Sequence, residues 1–147
     1  MKEPYIIRML DLAIKENMSN PVLVEGEHDV SALRELGFTG EIIKINNGLS
    51  LPVFCQYVAE RTRRVIILVD FDRKGIAIGE KISSTLESLG CSVSDTMWRY
   101  IRKNYKIKSV EDLPYLIRKT IWNPVNKNHK NNWEDEKCWK EHHLRHT

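Results

Sequence analysis

The sequence contains no long apolar run, and this absence argues against a helical membrane protein. No stretch approaches the roughly 20 apolar residues that a helix needs to cross a bilayer. The N-terminal apolar segment is interrupted by Asp11 and lacks a small-residue cleavage site, which argues against a secretory signal peptide. We therefore expect a cytoplasmic protein with no membrane partner.

Cysteine is also scarce, at three residues, and the three are widely spaced with no CxxC pair. An odd number at this spacing argues against a disulfide framework and against a zinc ribbon. Cys55 and Cys91 are predicted to lie in the core. Cys138 lies near three histidines in a polar segment without a second ligand pair at finger spacing, which favours an incidental cluster over a transition-metal site.

Charge is unevenly distributed along the chain, although the net charge is only +3. Residues 1–97 hold 11 basic and 14 acidic residues, whereas residues 98–147 hold 12 basic and 6 acidic residues. This division suits a protein whose metal needs carboxylates and whose polyanionic ligand needs cations. The alternative is that the basic excess is an ordinary solvated surface.

Short apolar runs alternate with helical patterns along the first two thirds of the chain. An amphipathic helix is predicted at residues 4–16, followed by strands at 22–24, 41–45, 65–69 and 91–94, with a helix after each of the first three. This alternation predicts an α/β fold with right-handed crossovers, about four parallel strands and helices on both faces of the sheet. In such a sheet, ligands bind beyond the carboxyl ends of the strands.

The end of the third strand carries a pair of acidic residues. Five β-favouring residues, 65–69, are followed by Asp70, Phe71 and Asp72, and then by Gly75. Period-two geometry puts the two carboxylates on one side of an extended chain, where both can reach a divalent cation such as Mg²⁺. The alternative is structural, with Asp70 capping the following helix and Asp72 solvated in a turn.

Polar groups also follow the first two strands. Glu25 ends the first strand, and residues 46–48 end the second. Because the carboxyl ends of parallel strands lie at one edge of a sheet, we expect these groups to meet Asp70 and Asp72 there. Gly48 suits a positive φ angle or a close approach of the backbone to a ligand.

Two motifs together carry a family resemblance. They are VLVEGEHDVSAL at residues 22–33 and VIILVDFDRKG at residues 65–75, with INNG between them. The pair resembles the Toprim domain of topoisomerases, bacterial-type primases and small nucleases, whose signature is a glutamate and glycine after one strand and a DxD motif with a following glycine after a later one. The KINNGLSL segment resembles the matching stretch of the Toprim nuclease that matures ribosomal RNA. The resemblance implies a Rossmann-like Toprim fold over about residues 20–95.

The resemblance also implies roles for particular residues. Glu25 corresponds to the general acid or base, which is also regarded as a metal ligand, and Asp70 and Asp72 correspond to ligands of Mg²⁺, with Mn²⁺ as a substitute. Crowding of three carboxylates is expected to raise the pKa of at least one of them. The residues expected to contact phosphate or nucleic acid are Gly26, Asn47, Gly48, Arg73, Lys74, Arg99, Arg102 and Lys103.

The chain divides into four predicted parts. These are an N-terminal helix packed on the sheet at residues 1–19, a Toprim core at 20–97, a basic and aromatic extension at 98–122, and a polar tail at 123–147. The extension interleaves aromatic residues with cations, a composition suited to phosphates and bases, and its alternative is a surface helix whose aromatic residues pack on the sheet edge. The tail is expected to be mobile or to be ordered by a partner.

The leading functional hypothesis is Mg²⁺-dependent phosphodiester chemistry on RNA or DNA by a nuclease or RNA-processing enzyme. The chain has no room for the domain that supplies a topoisomerase's tyrosine, or for the further parts of a primase. One alternative is a non-catalytic accessory or scaffold protein that binds nucleic acid. Another is a phosphatase of the haloacid dehalogenase type, whose DxD motif follows the first strand rather than the third. The protein is expected to act alone, as a homodimer or within an RNA-processing assembly, and the sequence does not distinguish these states.

Overall fold

Four parallel strands form a single sheet in the computed structural model, which describes residues 4–122. In chain order the strands are β1 (Val22–Val24), β2 (Ile42–Lys44), β3 (Arg64–Ile67) and β4 (Ser92–Ser94). Across the sheet the order is β2-β1-β3-β4, and all three pairings are parallel. The predicted α/β fold with four parallel strands is therefore confirmed.

Helices surround this sheet, and none of those in the described part of the chain is long and apolar enough to span a bilayer. They are α1 (Tyr5–Asn17), α2 (Glu27–Leu36), α3 (Leu51–Arg61), α4 (Arg73–Ser88), α5 (Thr96–Asn104), a 3-10 turn (Val110–Asp112) and α6 (Leu113–Trp122).

The direction of the crossovers determines where the helices lie. Helix α2 leads from β1 toward one edge of the sheet, whereas α4 leads from β3 toward the other edge. Because parallel crossovers are right-handed, α2 and α4 cover opposite faces. Accordingly, α2 packs with α6, and α3 packs with α4. The neighbouring strands β1 and β3 thus have connections that leave in opposite directions, which creates a topological switch point between their carboxyl ends.

The third strand and the residues that follow it lie at the centre of the core. Residues 65–69 are each at most 2% exposed, as expected for a strand covered on both faces. Regular pairing of β3 ends at Ile67, although the Leu68 N–H still donates to the Leu23 carbonyl oxygen at 3.0 Å. Cys55 and Cys91 are buried free thiols, in agreement with their prediction as core residues.

The start of α2 is closed by a hydrogen bond within its first turn. Gly26 is the N-cap residue, and Asp29 is the third residue of the helix. The Asp29 carboxylate accepts a hydrogen bond from the Gly26 N–H at 3.0 Å, which closes the helix end from inside. Gly37 ends the helix with a φ of 108°, a conformation that favours glycine.

The segment after residue 97 packs on the sheet through its first aromatic residue. Trp98 is fully buried, and its indole N–H donates to the Val69 carbonyl oxygen at 2.9 Å. Packing of this aromatic side chain, rather than contact with a nucleobase, is therefore its role in the fold. The polar tail and Cys138, about which the sequence makes predictions, lie outside the described residues.

The contact between α4 and α5 gives a first prediction. A β-carbon at Gly79 would lie 2.5 Å from Trp98 Cη2 and 2.8 Å from Val69 Cγ2. Gly79→Ala should therefore lower the free energy of unfolding by about 1–3 kcal/mol, as overpacking does, even though alanine favours a helix. Urea denaturation measures the effect. In a Trp98→Leu background the same change should cost less, and an equal cost in both backgrounds would contradict this explanation.

Candidate functional site

Glu25 and Asp70 meet at the switch point between β1 and β3. The strands are paired with Val22 opposite Ile66 and Leu23 opposite Ile67. This register brings the Glu25 side chain to the residue that follows the buried run of β3. Glu25 Oε1 accepts a hydrogen bond from the Asp70 backbone N–H at 3.3 Å. Two acidic residues 45 positions apart in the sequence therefore lie in direct contact.

A later segment of the chain holds the Asp70 carboxylate. The backbone N–H of Val110 donates to Asp70 Oδ1 at 3.0 Å. Burial raises the pKa of Asp70, and the Val110 N–H and the nearby Ser109 side chain oppose part of this rise. Next to it, the Phe71 N–H donates to the Lys108 carbonyl oxygen at 2.8 Å. No motif in the sequence pointed to residues 108–110 as neighbours of the DxD motif.

Asp72 caps α4, a role that the structural alternative in the sequence analysis gave to Asp70. Its Oδ1 accepts from the Gly75 N–H at 2.7 Å and caps α4, so Asp72 rather than Asp70 is the helix cap. Gly75 is required by a close approach, because a β-carbon there would lie 2.4 Å from the Asp70 carbonyl oxygen. The DxD motif and its glycine are therefore one local unit, in which the Asp70 backbone N–H binds Glu25 and Asp72 caps the helix.

The acids of this region share an electrostatic environment. Burial raises the pKa of Glu25, and the nearby negative charge of Asp70 raises it further. Burial likewise raises the pKa of Asp70 and of Asp29, although hydrogen bonds to the backbone partly offset the effect in both. The expected rise from crowding is therefore found, but desolvation is the larger cause.

These side chains border a cleft of about 470 Å³. Its wall combines acids from separate segments with one lysine, Lys74, and three aliphatic side chains, Ile45, Leu49 and Ile78. Glu111 lies on the rim, 3.6 Å from His28, and sequence reasoning missed it because it belongs to the extension after the DxD motif. The acidic residues that line the cleft are Glu25, Glu27, Asp29, Asp70 and Glu111.

The residues predicted to contact phosphate divide into two groups. Gly26 and Lys74 line the cleft, whereas Arg73 is exposed at the start of α4 and is not part of its wall. Asn47 is exposed and folds its own loop, since its amide donates to the Lys44 carbonyl oxygen and its Oδ1 accepts from the Leu49 N–H. Gly48 has a φ of 89°, as the sequence predicted.

The two arginines of α5 already have partners within the protein. Arg99 forms an ion pair with Asp95 one turn earlier. Arg102 pairs with Glu80 of α4 at 3.4 Å and lies over the Trp98 ring, 4.6 Å from its centroid. Exposed ion pairs of this kind are worth at most about 1 kcal/mol, so a polyanion can compete for these cations. Lys103 is exposed.

The carboxylate oxygens at the switch point are the type of ligand atom that hard divalent cations bind. Carboxylate oxygens are the ligands that Mg²⁺ prefers, and one or two of them suffice when water and phosphate complete its coordination. Glu25 and Asp70 provide two such groups on the wall of one cleft. Among residues 4–122, however, no group of three or more acidic, histidine or cysteine side chains is gathered closely enough to hold a metal ion. The convergence of Glu25, Asp70 and Asp72 on one cation stays a prediction.

Comparison with known proteins assigns this arrangement to a class. Residues 20–98 match the Toprim domain, and the chain belongs to the Toprim domain family. Membership associates the protein with metal-dependent enzymes or binding proteins of nucleic acids. It also confirms the resemblance drawn from the EG and DxD motifs.

Within this class the similar proteins belong to the UPF0292 family. A UPF0292 protein of Thermoplasma volcanium is 41% identical over 107 residues, which cover 73% of this chain and 90% of the relative. One from Thermococcus gammatolerans is 38% identical over 118 residues, covering 78% of this chain and 86% of the relative. The aligned part includes most of the relatives' length.

A solved structure shares the fold. A putative protein from Aquifex aeolicus superimposes with a TM-score of 0.65 at 22% identity, covering 76% of this chain and all of that chain. At this identity the likeness supports the architecture alone. It agrees with the Toprim fold expected from the two motifs.

The raised pKa of Glu25 predicts a pH-dependent stability. When a carboxyl group has a higher pKa in the folded state than in the unfolded state, the folded protein holds the proton more tightly. The free energy of unfolding therefore falls as the pH rises past the unfolded pKa of that group. Glu25→Gln removes the charge and keeps an acceptor for the Asp70 N–H. In EDTA the variant should melt above wild type at about pH 8, by roughly 2–4 °C for each kcal/mol gained, and this advantage should shrink near pH 4.

Differential scanning calorimetry measures these melting temperatures. Glu60→Gln is the matched control, because Glu60 is exposed on α3 and does not line the cleft. It should show no such pH dependence. An advantage for Glu25→Gln that is the same at both pH values would contradict the electrostatic explanation.

Proposed function

We propose that this protein is a Mg²⁺-dependent nuclease, or an RNA-processing enzyme of related chemistry, that acts on phosphodiester bonds of RNA or DNA. One observation carries the proposal: the contact between the Glu25 carboxylate and the Asp70 backbone at the topological switch point. An acid with a raised pKa beside a second acid, in a cleft at the end of a parallel sheet, has the chemistry of a proton-transferring site.

Each group of the site has a specific task in this proposal. Glu25 exchanges a proton with the attacking or leaving oxygen, for which burial and the neighbouring acid raise its pKa toward neutrality. Asp70 is the principal metal ligand, and Asp72 is the second through whichever oxygen the Gly75 N–H leaves available. Bound Mg²⁺ would neutralise the phosphoryl oxygens. Lys74 on the cleft wall contributes a positive charge for the phosphate.

The cleft also explains the glycine of the first motif. Gly26 has extended backbone angles that any residue can adopt, and a β-carbon there would meet no atom within 4 Å. The folded protein alone therefore does not require a glycine at this position. A ligand backbone that approaches closely would require it, in contrast to Gly75, whose small size the fold itself demands.

A binding protein without catalysis is the second candidate function. It is favoured because no group of three or more acidic, histidine or cysteine side chains among residues 4–122 is gathered closely enough to hold a metal ion. The protein would then hold nucleic acid as an accessory subunit, alone, as a homodimer or within an RNA-processing assembly. The Toprim match argues against the phosphatase alternative, which belongs to another fold family.

The catalytic proposal is tested with labelled structured RNA and DNA incubated with Mg²⁺ or Mn²⁺. Glu25→Gln should reduce the cleavage rate about 100-fold or more, because it removes the proton-transferring group. Asp70→Asn should raise the Mg²⁺ concentration needed for half-maximal rate by about tenfold or more. Glu60→Gln makes the same change of carboxyl to amide on an exposed face and should cleave at the wild-type rate.

The outcomes separate the two candidate functions. Cleavage that persists in both site variants would eliminate the catalytic assignment. Salt-dependent binding of RNA by the wild type, with no turnover and no response to Mg²⁺, would favour the accessory protein.

The role of Gly26 gives a separate prediction. Gly26→Ala should leave the melting temperature within about 2 °C of wild type, because the added methyl group meets nothing in the fold. Its apparent affinity for nucleic acid should fall about tenfold, as measured by fluorescence anisotropy, since a close backbone approach is blocked. Unchanged affinity in Gly26→Ala would show that this glycine does not contact the ligand.

A further inference from the structure

The segment that holds Asp70 lies outside the matched Toprim domain. The domain match ends at residue 98, whereas the groups around Asp70 and Phe71 belong to residues 108–110. Two hydrogen bonds join these segments: the Val110 N–H donates to Asp70 Oδ1, and the Phe71 N–H donates to the Lys108 carbonyl oxygen. The extension is thus bonded to the backbone and the side chain of the DxD motif.

We propose that residues 108–111 are a positioning segment, which fixes the orientation of the Asp70 carboxylate for cation binding. The inference rests on the proposed function, because it assumes that Asp70 binds the metal. It goes further by assigning part of the site to a segment that the Toprim match does not include.

The hydrogen-bond directions around Ser109 support this role. Ser109 Oγ accepts from the Glu111 N–H at 3.1 Å as the cap of the 3-10 turn. A hydroxyl group has one proton to donate, and here its lone pairs receive the Glu111 N–H. The proton is therefore available to the nearby Asp70 carboxylate, and the Ser109 side chain opposes the rise that burial causes in the pKa of Asp70.

The segment is rigid enough to act as a support. Val110 is fully buried, and the 3-10 turn packs against α2, the helix that begins directly after Glu25 and Gly26. The turn leads straight into α6, whose Leu113 is also fully buried. Groups that orient a metal ligand in this way change metal affinity by about 10–100-fold when they are removed.

Proline at position 110 removes the backbone N–H that donates to Asp70 Oδ1, with little change to the backbone conformation. Val110 is the first residue of the 3-10 turn, a position that proline favours. Ser109 before it has φ −133° and ψ 148°, within the range that a residue preceding proline prefers. The proline ring also occupies the space of the lost hydrogen, so the Asp70 carboxylate must turn away.

The experiment compares Val110→Pro with Val110→Ala in the full chain. Both variants lose the valine side chain from the core and should melt below wild type, but only alanine keeps the N–H. Mn²⁺ affinity is measured by electron paramagnetic resonance without substrate. Val110→Pro should bind Mn²⁺ about tenfold or more weakly than Val110→Ala. Circular dichroism verifies that both variants are folded. Equal affinity in the two variants would overturn the inference.

A second pair of variants covers the case in which Val110→Pro does not fold. Ser109→Ala should weaken Mn²⁺ binding several-fold, and Ser109→Thr should restore it, because threonine keeps both the donor and the cap. Wild-type affinity in Ser109→Ala would then overturn the inference. If Asp70→Asn binds Mn²⁺ as wild type does, the metal assignment itself fails and the inference falls with it. If Asp70→Asn weakens Mn²⁺ binding but Val110→Pro and Val110→Ala bind Mn²⁺ equally, only the positioning role of residues 108–111 is refuted.

Discussion

The parallel pairing of β1 with β3 is the constraint on which the site depends. The Leu68 N–H still donates to the Leu23 carbonyl oxygen, and two residues later the chain delivers the Asp70 N–H to the Glu25 carboxylate. A slip of one residue in this register would turn every side chain of the slipped strand to the other face of the sheet. The depth of burial of residues 65–69 opposes such a slip, so the hydrophobic core sets the geometry of the polar site.

Burial of ionised carboxylates destabilises the folded protein, and hydrogen bonds from nearby backbone N–H groups offset part of this cost. Burial raises the pKa of Glu25, Asp29 and Asp70. A backbone N–H donates a hydrogen bond to each carboxylate. Asp70 donates to Glu25, Gly26 to Asp29 and Val110 to Asp70. The remaining electrostatic cost is relieved by protonation or by a bound cation. This cost is a physical reason for such a site to bind a divalent ion.

Helix capping explains why several acids lie together at this edge. Asp29 closes the start of α2 from its first turn, and Asp72 begins α4. Because both helices start where their strands end, capping residues and site residues occupy the same edge of the sheet. The sequence alone could not separate the two roles of Asp70 and Asp72, since either carboxylate is within reach of the helix start. The hydrogen bond from the Gly75 N–H to Asp72 Oδ1 shows that Asp72 is the cap.

The sequence by itself determined the alternation of strands and helices, the buried third strand and the delivery of Glu25 and Asp70 to one edge, because periodicity and β-propensity act locally. It also carried the two motifs that identify the Toprim domain. Only the tertiary structure decided that Trp98 belongs to the core, that Glu111 borders the cleft and that residues 108–110 hold Asp70. Those contacts join segments about 30 to 85 positions apart, and no local pattern encodes which distant backbone group meets a given side chain.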